Sequence, residues 1–272
     1  MSSHCEHLKA IVFDWAGTTI DHGSCAPAIV FQEIFRQRGI SITAAQAREP
    51  MGMAKRDHIA AITGVPEVSA AWRQKFDREC TSVDIDAMYE DFLPLQKATL
   101  KDHSLMIPGA VDAVNQCREL GLRIGSSTGY TRELMEIVSA AAREQGYEPD
   151  CVLCVEDAPR GRPTPYLLYE AAKRLDVYPT WAMIKVDDTP VGITAGRNAG
   201  CWTVGVTRTG NCVGKSLEEI QALPAAEVRE LCQLAEEKLR AAGAHFIVES
   251  VADCLPLVQE IERKMQQGQL PI

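Results

Sequence analysis

The stretch Lys9–Thr19, KAIVFDWAGTT, carries the first signals of the fold. Its first part, Lys9–Asp14, is a short apolar and β-branched run, which is typical of a parallel strand covered on both faces. An aspartate ends the run, and a Gly-Thr turn follows it. In open α/β sheets the active crevice lies at the carboxyl ends of the strands. Asp14 is therefore expected where a nucleophilic carboxylate would act, with the backbone amides of the turn facing an incoming anion.

Similar apolar runs recur along the chain and alternate with amphipathic stretches. The runs predict further strands at Leu122–Ser126, Cys151–Val155, Ala182–Val186, Trp202–Val206 and His245–Val248. The stretches between them predict helices at Ala110–Leu120, Thr131–Gln145, Pro165–Leu175, Pro190–Ala199 and Ala225–Ala242. This alternation predicts an α/β fold with a doubly wound, mainly parallel sheet.

One long region, from about Pro27 to His103, lacks the alternation. Its patterns are helical throughout, at Ala28–Arg38, Thr43–Arg48, Ala54–Thr63, Ser69–Arg78 and Asp84–Lys101. Because this region separates the first strand from the second, it predicts an inserted all-helical cap domain over the carboxyl edge of the sheet. We expect residues 25–103 to form the cap, and residues 1–24 and 104–272 to form the α/β core.

The composition excludes some classes of protein and disfavours others. Hydrophobic residues make up 46% of the 272 residues and charged residues 24%, which excludes wholesale disorder. The formal net charge of −9 disfavours nucleic acids and anionic membranes as partners. No apolar run approaches the roughly 18 residues of a membrane span. The ten scattered cysteines, without a secretory signal, predict reduced thiols and a cytoplasmic location.

Polar residues follow the later strands as well. Thr128 comes after the second strand, Arg162 after the third, and Asp187 and Asp188 after the fourth. Each of these signals is weak alone, because such residues are common in turns and helix caps. An acid, a hydroxyl, a cation and an acid pair at four successive strand ends are a strong joint signal. With Asp14, they predict an Mg²⁺-assisted site that forms an aspartyl-phosphate.

The order of Asp14–Thr19, Thr128, Arg162 and Asp187–Asp188 resembles the four motifs of the haloacid dehalogenase superfamily of phosphotransferases. The resemblance covers essentially the whole chain and implies a Rossmann-like core with the cap inserted after the first motif. Members often have a second acid four residues after the motif-four aspartate, but this chain has Gly192 there. Either Asp187 or a water molecule could take the place of that acid.

Two further features indicate the type of member. Phosphatases of the superfamily use a second aspartate as a general acid, and Ala16 stands at that position. Ala16 cannot donate a proton, and only its carbonyl oxygen is left to bind a cation. In the cap, Lys55, His58 and Ile62 fall on one helix face, which places an amine on an apolar surface. Burial lowers the pKa of a lysine, and a free amine can form a Schiff base with an aldehyde.

The combination of Asp14–Thr19 with Pro50–Gly52, Lys55 and His58 closely resembles the phosphonatase family, as does Ile124–Arg132 (IGSSTGYTR). The resemblance implies hydrolysis of the carbon–phosphorus bond of phosphonoacetaldehyde to acetaldehyde and phosphate. It also implies a homodimer formed through the cap, with which the apolar stretch Ala28–Phe35 is compatible.

The resemblance implies a role for each candidate residue. The catalytic group is Asp14 as nucleophile, Lys55 as the Schiff-base amine and His58 as a proton shuttle. The metal group, which holds Mg²⁺, is Asp14, the carbonyl of Ala16, and Asp188. The substrate group is Thr128 and Arg162 on the phosphoryl oxygens, with Met51, Gly52 and Tyr130 shaping the pocket.

Two alternatives stay open. A phosphate-monoester phosphatase or phosphomutase could have the same fold, although Ala16 removes the acid that ester cleavage needs. A non-catalytic binding module on a decayed hydrolase fold is the other alternative. It gives no reason for the chain to keep Asp14, Thr128, Arg162 and Asp188 together.

Overall fold

A parallel sheet forms the centre of the molecule. In the computed structural model, which describes residues 4–271, the described residues form one six-stranded sheet. The strands in chain order are β1 Ala10–Phe13, β2 Arg123–Ser127, β3 Cys151–Leu153, β4 Met183–Asp187, β5 Trp202–Val206 and β6 Phe246–Val248. Their spatial order is β3-β2-β1-β4-β5-β6, and every neighbouring pair is parallel. The predicted doubly wound parallel sheet is confirmed.

The helices of this α/β unit follow its strands in chain order. They are α6 Ala110–Glu119, α7 Arg132–Glu144, α8 Tyr166–Arg174, α9 Pro190–Asn198, α10 Leu217–Ala222, α11 Ala225–Ala241 and α12 Cys254–Gln266. The chain runs outward from β1 to β3, crosses back to β4 and continues the other way to β6. Because crossovers between parallel strands are right-handed, the helices of the two halves cover opposite faces. The connections reverse between β1 and β4, so a crevice is expected at the carboxyl ends of these two strands.

A separate helical unit lies between β1 and β2. Its helices are α1 Cys25–Gln37, α2 Ala44–Arg48, α3 Lys55–Thr63, α4 Pro66–Phe76 and α5 Ser82–Leu100. Aromatic and aliphatic side chains give this unit a core of its own, distinct from the core around the sheet, and they include Phe31, Phe35, Ile59, Trp72 and Phe92. The exact domain boundaries at residues 25 and 103 stay a prediction.

The structure differs from the sequence-based expectations at some element ends. The strand expected at Cys151–Val155 ends at Leu153. Asp157 accepts a hydrogen bond from the backbone N–H of Cys154 at 2.8 Å, and a short 3₁₀ turn begins there instead. Helix α12 was not expected, although its buried residues recur with helical spacing at Cys254, Val258, Ile261 and Met265.

Two further observations concern the cysteines and the helices. All ten cysteines are free thiols. Among residues 4–271, the helices are too short or too polar for any of them to cross a membrane.

Candidate active site

The loop after β1 places Asp14 at the carboxyl edge of the sheet. The backbone N–H of Asp14 still donates to Val186 on β4, at 3.0 Å. The chain then turns sharply, and the N–H groups of Thr18 and Thr19 donate to the carbonyl of Trp15 at 3.0 and 2.8 Å. Gly17 has a φ of +83°, and a Cβ there would lie 2.3 Å from a carboxylate oxygen of Asp188. Glycine is therefore required at this position, both for the backbone conformation and for the close approach of the acid.

Three buried carboxylates converge at this edge. Oxygen atoms of Asp14, Asp187 and Asp188 lie within 4.8 Å of one another. Burial, together with the nearby Asp187 and Asp14, raises the pKa of Asp188 well above its usual range. A divalent cation would relieve this repulsion, and an all-oxygen donor set of this kind fits Mg²⁺. The residues present therefore fit a metal site.

Asp188 accepts two hydrogen bonds that orient it. The Thr18 hydroxyl donates to one carboxylate oxygen at 3.0 Å, and the backbone N–H of Asn211 donates to the other at 2.7 Å. Each oxygen keeps a further lone-pair position, so Asp188 can still bind a cation.

Two buried cations offset the acids. Arg162 donates to both carboxylate oxygens of Asp14, at 2.9 and 3.2 Å, and to Asp187 at 2.9 Å. The ammonium group of Lys185 lies 2.9 Å from Asp187. Burial alone would raise the pKa of Asp187, but Lys185 and Arg162 outweigh it and lower that pKa. Arg162 thus contacts the carboxylate at the tip of β1.

Lys55 reaches the same site from the helical unit. It is the first residue of α3 and is only 4% exposed. Its ammonium nitrogen lies 4.8 Å from the centre of the Tyr130 ring and 5.6 Å from that of Phe31. Burial lowers the pKa of Lys55 to about 7, although Asp14 partly opposes the shift. A substantial fraction of this amine is therefore uncharged near neutral pH.

His58 lies on the same helix in a different environment. Its Nε2 donates to the carbonyl of Ala47 at 2.9 Å, and its ring stacks on Phe31 with the ring centres 3.7 Å apart. Burial and the nearby Lys55 lower the pKa of His58 well below its usual value, so the ring is neutral. In this geometry His58 packs inside the helical unit, and its role as a proton shuttle stays a prediction.

A loop of the helical unit docks directly on the sheet edge. Gly52 has a φ of +95°, and a Cβ there would lie 2.6 Å from the Thr189 hydroxyl oxygen. On the other side, a Cβ on Gly129 would lie 2.7 Å from the carbonyl oxygen of Met53. Both contacts need glycine, because any side chain would hold the two surfaces apart. The helical unit is therefore closed over the carboxyl ends of the strands.

A small cavity lies between the two surfaces. Most of the candidate residues line it together with neighbours from both units: Asp14, Ala16, Ser24, Pro27, Met51, Gly52, Lys55, Thr128, Gly129, Tyr130, Arg162 and Thr189. Its volume is about 20 Å³, little more than one water molecule requires. Asp188 and His58 are not among the lining residues. Asp188 lies against Gly17, and His58 is fully buried.

Several residues of this site were not predicted from the sequence. Lys185 left a signal, since a lysine inside the apolar run Ala182–Val186 must be paired when buried. Thr189 left one too, because Thr-Pro at the start of a helix is typical of a cap. No signal in the sequence indicates Arg48 or Asn211. In the structure, Arg48 donates to Asn211 at 3.1 Å and to the carbonyl of Gly23 at 2.6 Å. These bonds connect α2 of the helical unit to the loop that supports Asp188.

Comparison with known proteins first defines the class of this chain. A family model described as haloacid dehalogenase-like hydrolase matches residues 8–200. The match spans most of the chain, and the sheet, the inserted helices and the acid cluster agree with it. The chain is a haloacid dehalogenase-like hydrolase.

More similar relatives define the family within that class. The chain is 46% identical over 266 residues to the phosphonoacetaldehyde hydrolase of Paraburkholderia phytofirmans, covering 98% of this chain and 100% of the relative. It is 42% identical to that of Bacillus cereus strain G9842, covering 94% and 97%. The crystal structure of a phosphonoacetaldehyde hydrolase-like protein from Oleispira antarctica has a TM-score of 0.96 and 39% identity, covering 99% of this chain and 98% of the other. The chain belongs to the phosphonoacetaldehyde hydrolase family.

Proposed function

We propose that this protein hydrolyses the carbon–phosphorus bond of phosphonoacetaldehyde, giving acetaldehyde and phosphate. The observation that carries the proposal is the position of Lys55. A buried amine with a pKa of about 7 lines the same cavity as Asp14, at a site where Ala16 offers no acid. A phosphate-ester leaving group needs a proton donor, whereas a carbanion leaving group needs an electron sink. Lys55 can supply the sink.

The first part of the reaction takes place on Lys55. Its neutral amine adds to the aldehyde carbon, and loss of water leaves a protonated imine. We propose that proton transfers in these steps pass through His58, which lies one helical turn along α3. Tyr130 and Met51 line the space around the imine, and Gly52 allows its loop to approach that space closely.

The second part takes place on Asp14. A carboxylate oxygen of Asp14 attacks phosphorus, the carbon–phosphorus bond breaks, and its electron pair moves into the imine to give an enamine. Arg162 and Thr128 hold the phosphoryl oxygens during the attack. Protonation of the enamine and hydrolysis of the resulting imine release acetaldehyde and restore Lys55. Water then hydrolyses the aspartyl-phosphate.

The acid cluster is where we place Mg²⁺. We propose that Asp14, the Ala16 carbonyl and Asp188 hold the ion, which would supply positive charge beside the phosphoryl oxygens. Residues of both units line the cavity. We therefore propose that the helical unit opens to admit phosphonoacetaldehyde and closes again to exclude water.

The proposal is tested by turnover together with covalent trapping. Protein, Mg²⁺ and phosphonoacetaldehyde are mixed, and acetaldehyde is followed by NADH oxidation with added alcohol dehydrogenase. A parallel sample is reduced with borohydride and mapped by peptide mass. We expect acetaldehyde and a reduced adduct on the Lys55 peptide, neither of which Lys55→Arg should give. The exposed Lys101→Arg serves as the matched control and should keep both signals.

Other outcomes of this experiment would contradict part of the proposal or favour a different function. Acetaldehyde without a Lys55 adduct would keep the activity but contradict the imine step. Brisk Mg²⁺-dependent hydrolysis of p-nitrophenyl phosphate, with no acetaldehyde, would favour the monoester phosphatase. Binding of phosphonoacetaldehyde without any turnover would favour the non-catalytic module.

We also propose that the protein is a cytoplasmic homodimer formed through the helical unit. Ten free thiols favour a reducing compartment. On α1, Ile29 keeps 49% of its surface exposed, although it lies beside buried residues of the same helix. Light scattering after gel filtration should give twice the chain mass for the wild-type protein. The Ile29→Glu variant should give a lower mass, closer to that of one chain. A monomeric wild-type protein would contradict this proposal.

A further inference from the structure

Asp187 and Gly192 compete for the same space. Gly192 lies in the first turn of α9, and a Cβ there would be 2.0 Å from the carboxyl carbon of Asp187 and 2.0 and 2.2 Å from its two oxygens. Non-bonded atoms do not approach so closely, so no side chain fits at position 192 while Asp187 keeps this conformation. Asp187 can therefore keep this conformation only when residue 192 is glycine.

The carboxylate of Asp187 is fully occupied by donors of the protein. One oxygen accepts from the backbone N–H of Thr189 at 3.0 Å and from its hydroxyl at 2.7 Å. The other accepts from Arg162 at 2.9 Å and lies 2.9 Å from the ammonium group of Lys185. A carboxylate offers about four lone-pair positions, and each is used here. Asp188, with one donor on each oxygen, differs in this respect.

We propose that Asp187 is a positioning residue and not a ligand of the metal ion, and that it forms an exchangeable pair with Gly192. Its carboxylate holds Arg162 against Asp14 and balances the buried charge of Lys185, while Asp14 and Asp188 hold the ion. This inference rests on the proposed function, since it assigns a role within that site. The Cβ of an acid at position 192 would lie 2.0 Å from the present carboxyl carbon of Asp187. Such an acid could therefore take over the role if residue 187 were glycine.

Magnesium affinity separates positioning from ligation. Calorimetric titration of Mg²⁺ is compared for wild type, Asp187→Asn and Asp188→Asn. We expect Asp188→Asn to weaken Mg²⁺ binding by about 100-fold or more, and Asp187→Asn by about tenfold or less while kcat still falls. An equal loss of Mg²⁺ affinity in the two variants would make Asp187 a ligand and overturn the inference.

An exchange of the two residues tests the pairing. Asp187→Gly should fold and lose most of its kcat, and Gly192→Ala should lower both Tm and kcat because its Cβ displaces the carboxylate. Asp187→Gly also removes the carboxylate partner of the buried Lys185, which lowers Tm by itself. The clash is therefore tested by the coupling of the two substitutions: Gly192→Ala should lower Tm less in the Asp187→Gly background than in wild type, without recovering kcat. Asp187→Gly/Gly192→Asp should recover kcat by about tenfold or more over Asp187→Gly. If the two double variants have the same kcat, the pairing is wrong.

The readouts also keep this inference apart from the proposed function. Wild-type acetaldehyde release tests the function alone. The Mg²⁺ titrations and the Tm coupling between Asp187→Gly and Gly192→Ala do not depend on the substrate. If wild type released no acetaldehyde, these measurements would still decide whether Asp187 is a ligand.

Discussion

At the scale of single residues, burial decides the chemistry of Lys55. A lysine on the surface is protonated at neutral pH and is a poor nucleophile. Enclosed beside Phe31 and Tyr130, Lys55 has a pKa of about 7, mainly because burial disfavours the charged form. Burial of Lys55, on which the proposed imine formation depends, must also destabilise the fold, because the folded chain binds this proton less tightly than the unfolded chain.

That cost leads to a pH-dependent prediction for Lys55→Met. Between about pH 7 and about 10.4, the unfolded chain carries a proton that the folded chain has lost, so the free energy cost of the lysine changes across this range. The free energy of unfolding rises with pH wherever the unfolded chain binds more protons than the folded chain. In this pH range, Lys55 must release its proton to the solvent when the chain folds. The free energy cost of this deprotonation falls as the pH rises and vanishes at about pH 10.4. Below about pH 7, Lys55 is protonated in both states, and the folded chain bears the full free energy cost of burying the charged amine. We expect Lys55→Met to stabilise the protein on the order of a few kcal/mol at pH 6, and less at pH 9.

Urea denaturation at the two pH values measures this difference. The exposed Lys101→Met is the control and should change stability by similar small amounts at both. A stabilisation by Lys55→Met that is no larger at pH 6 than at pH 9 would mean that Lys55 is not buried in solution as it is here. Lys55→Met should also be inactive.

At the scale of elements, closure of the helical unit depends on two glycine contacts. Gly52 meets Thr189 at the start of α9, and Gly129 meets the carbonyl of Met53. Arg48, at the end of α2, adds hydrogen bonds to Gly23 and Asn211. These contacts join the helical unit to the loops that carry Thr128, Asp187 and Asp188. A change at the contact surface should therefore affect catalysis without touching a reacting group.

Gly52→Ala tests closure directly. The new Cβ would lie 2.6 Å from the Thr189 hydroxyl oxygen, and the φ of +95° is strained for alanine. We expect kcat/KM to fall by about tenfold to 100-fold, because closure that aligns Lys55 with Asp14 is hindered. The matched control is Gly64→Ala in the same unit, where the nearest atom lies 3.4 Å from a Cβ. Equal activity of Gly52→Ala and wild type would show that close docking of this loop is dispensable.

At the scale of the whole molecule, a single acid joins the two ends of the chain. Glu262 on α12 accepts hydrogen bonds from the backbone N–H groups of Glu6, His7 and Leu8, at 3.0, 3.1 and 2.8 Å. These residues lead into β1, so the contact supports the strand that carries Asp14. Burial alone would raise the pKa of Glu262, but the bonds from Leu8 and His7 outweigh it and lower the pKa to about 2.

Glu262→Gln should therefore destabilise the fold. A neutral amide replaces a charged acceptor of backbone N–H groups, which costs about 1–3 kcal/mol at pH 7. Because the folded pKa is depressed, this stabilisation is complete above about pH 4.3 and is lost as the pH falls toward about 2. Denaturant titration at pH 7 measures the effect, with Glu260→Gln on the same helix as the control. Equal stability of the two variants would contradict this role.

Local patterns in the sequence determined a large part of this protein. The apolar run that precedes Asp14 and its recurrences define the strands, since a buried parallel strand must be apolar over its whole length. The rule that active residues follow strand ends selected Asp14, Thr128, Arg162 and Asp188 from their positions in the chain alone. Helical spacing was enough to place Lys55 on an apolar face.

Contacts between residues far apart in the chain could not be predicted from these local patterns. That Asp187 occupies the space of the missing side chain at 192, and that Arg48 binds Asn211, depends on how α9 and α2 pack against distant loops. His58 shows the same limit, because helical spacing put it beside Lys55, whereas packing turned its ring onto Phe31 and Ala47. Periodicity along one element reports which face is buried, but it carries no information about which atoms of another element fill that space.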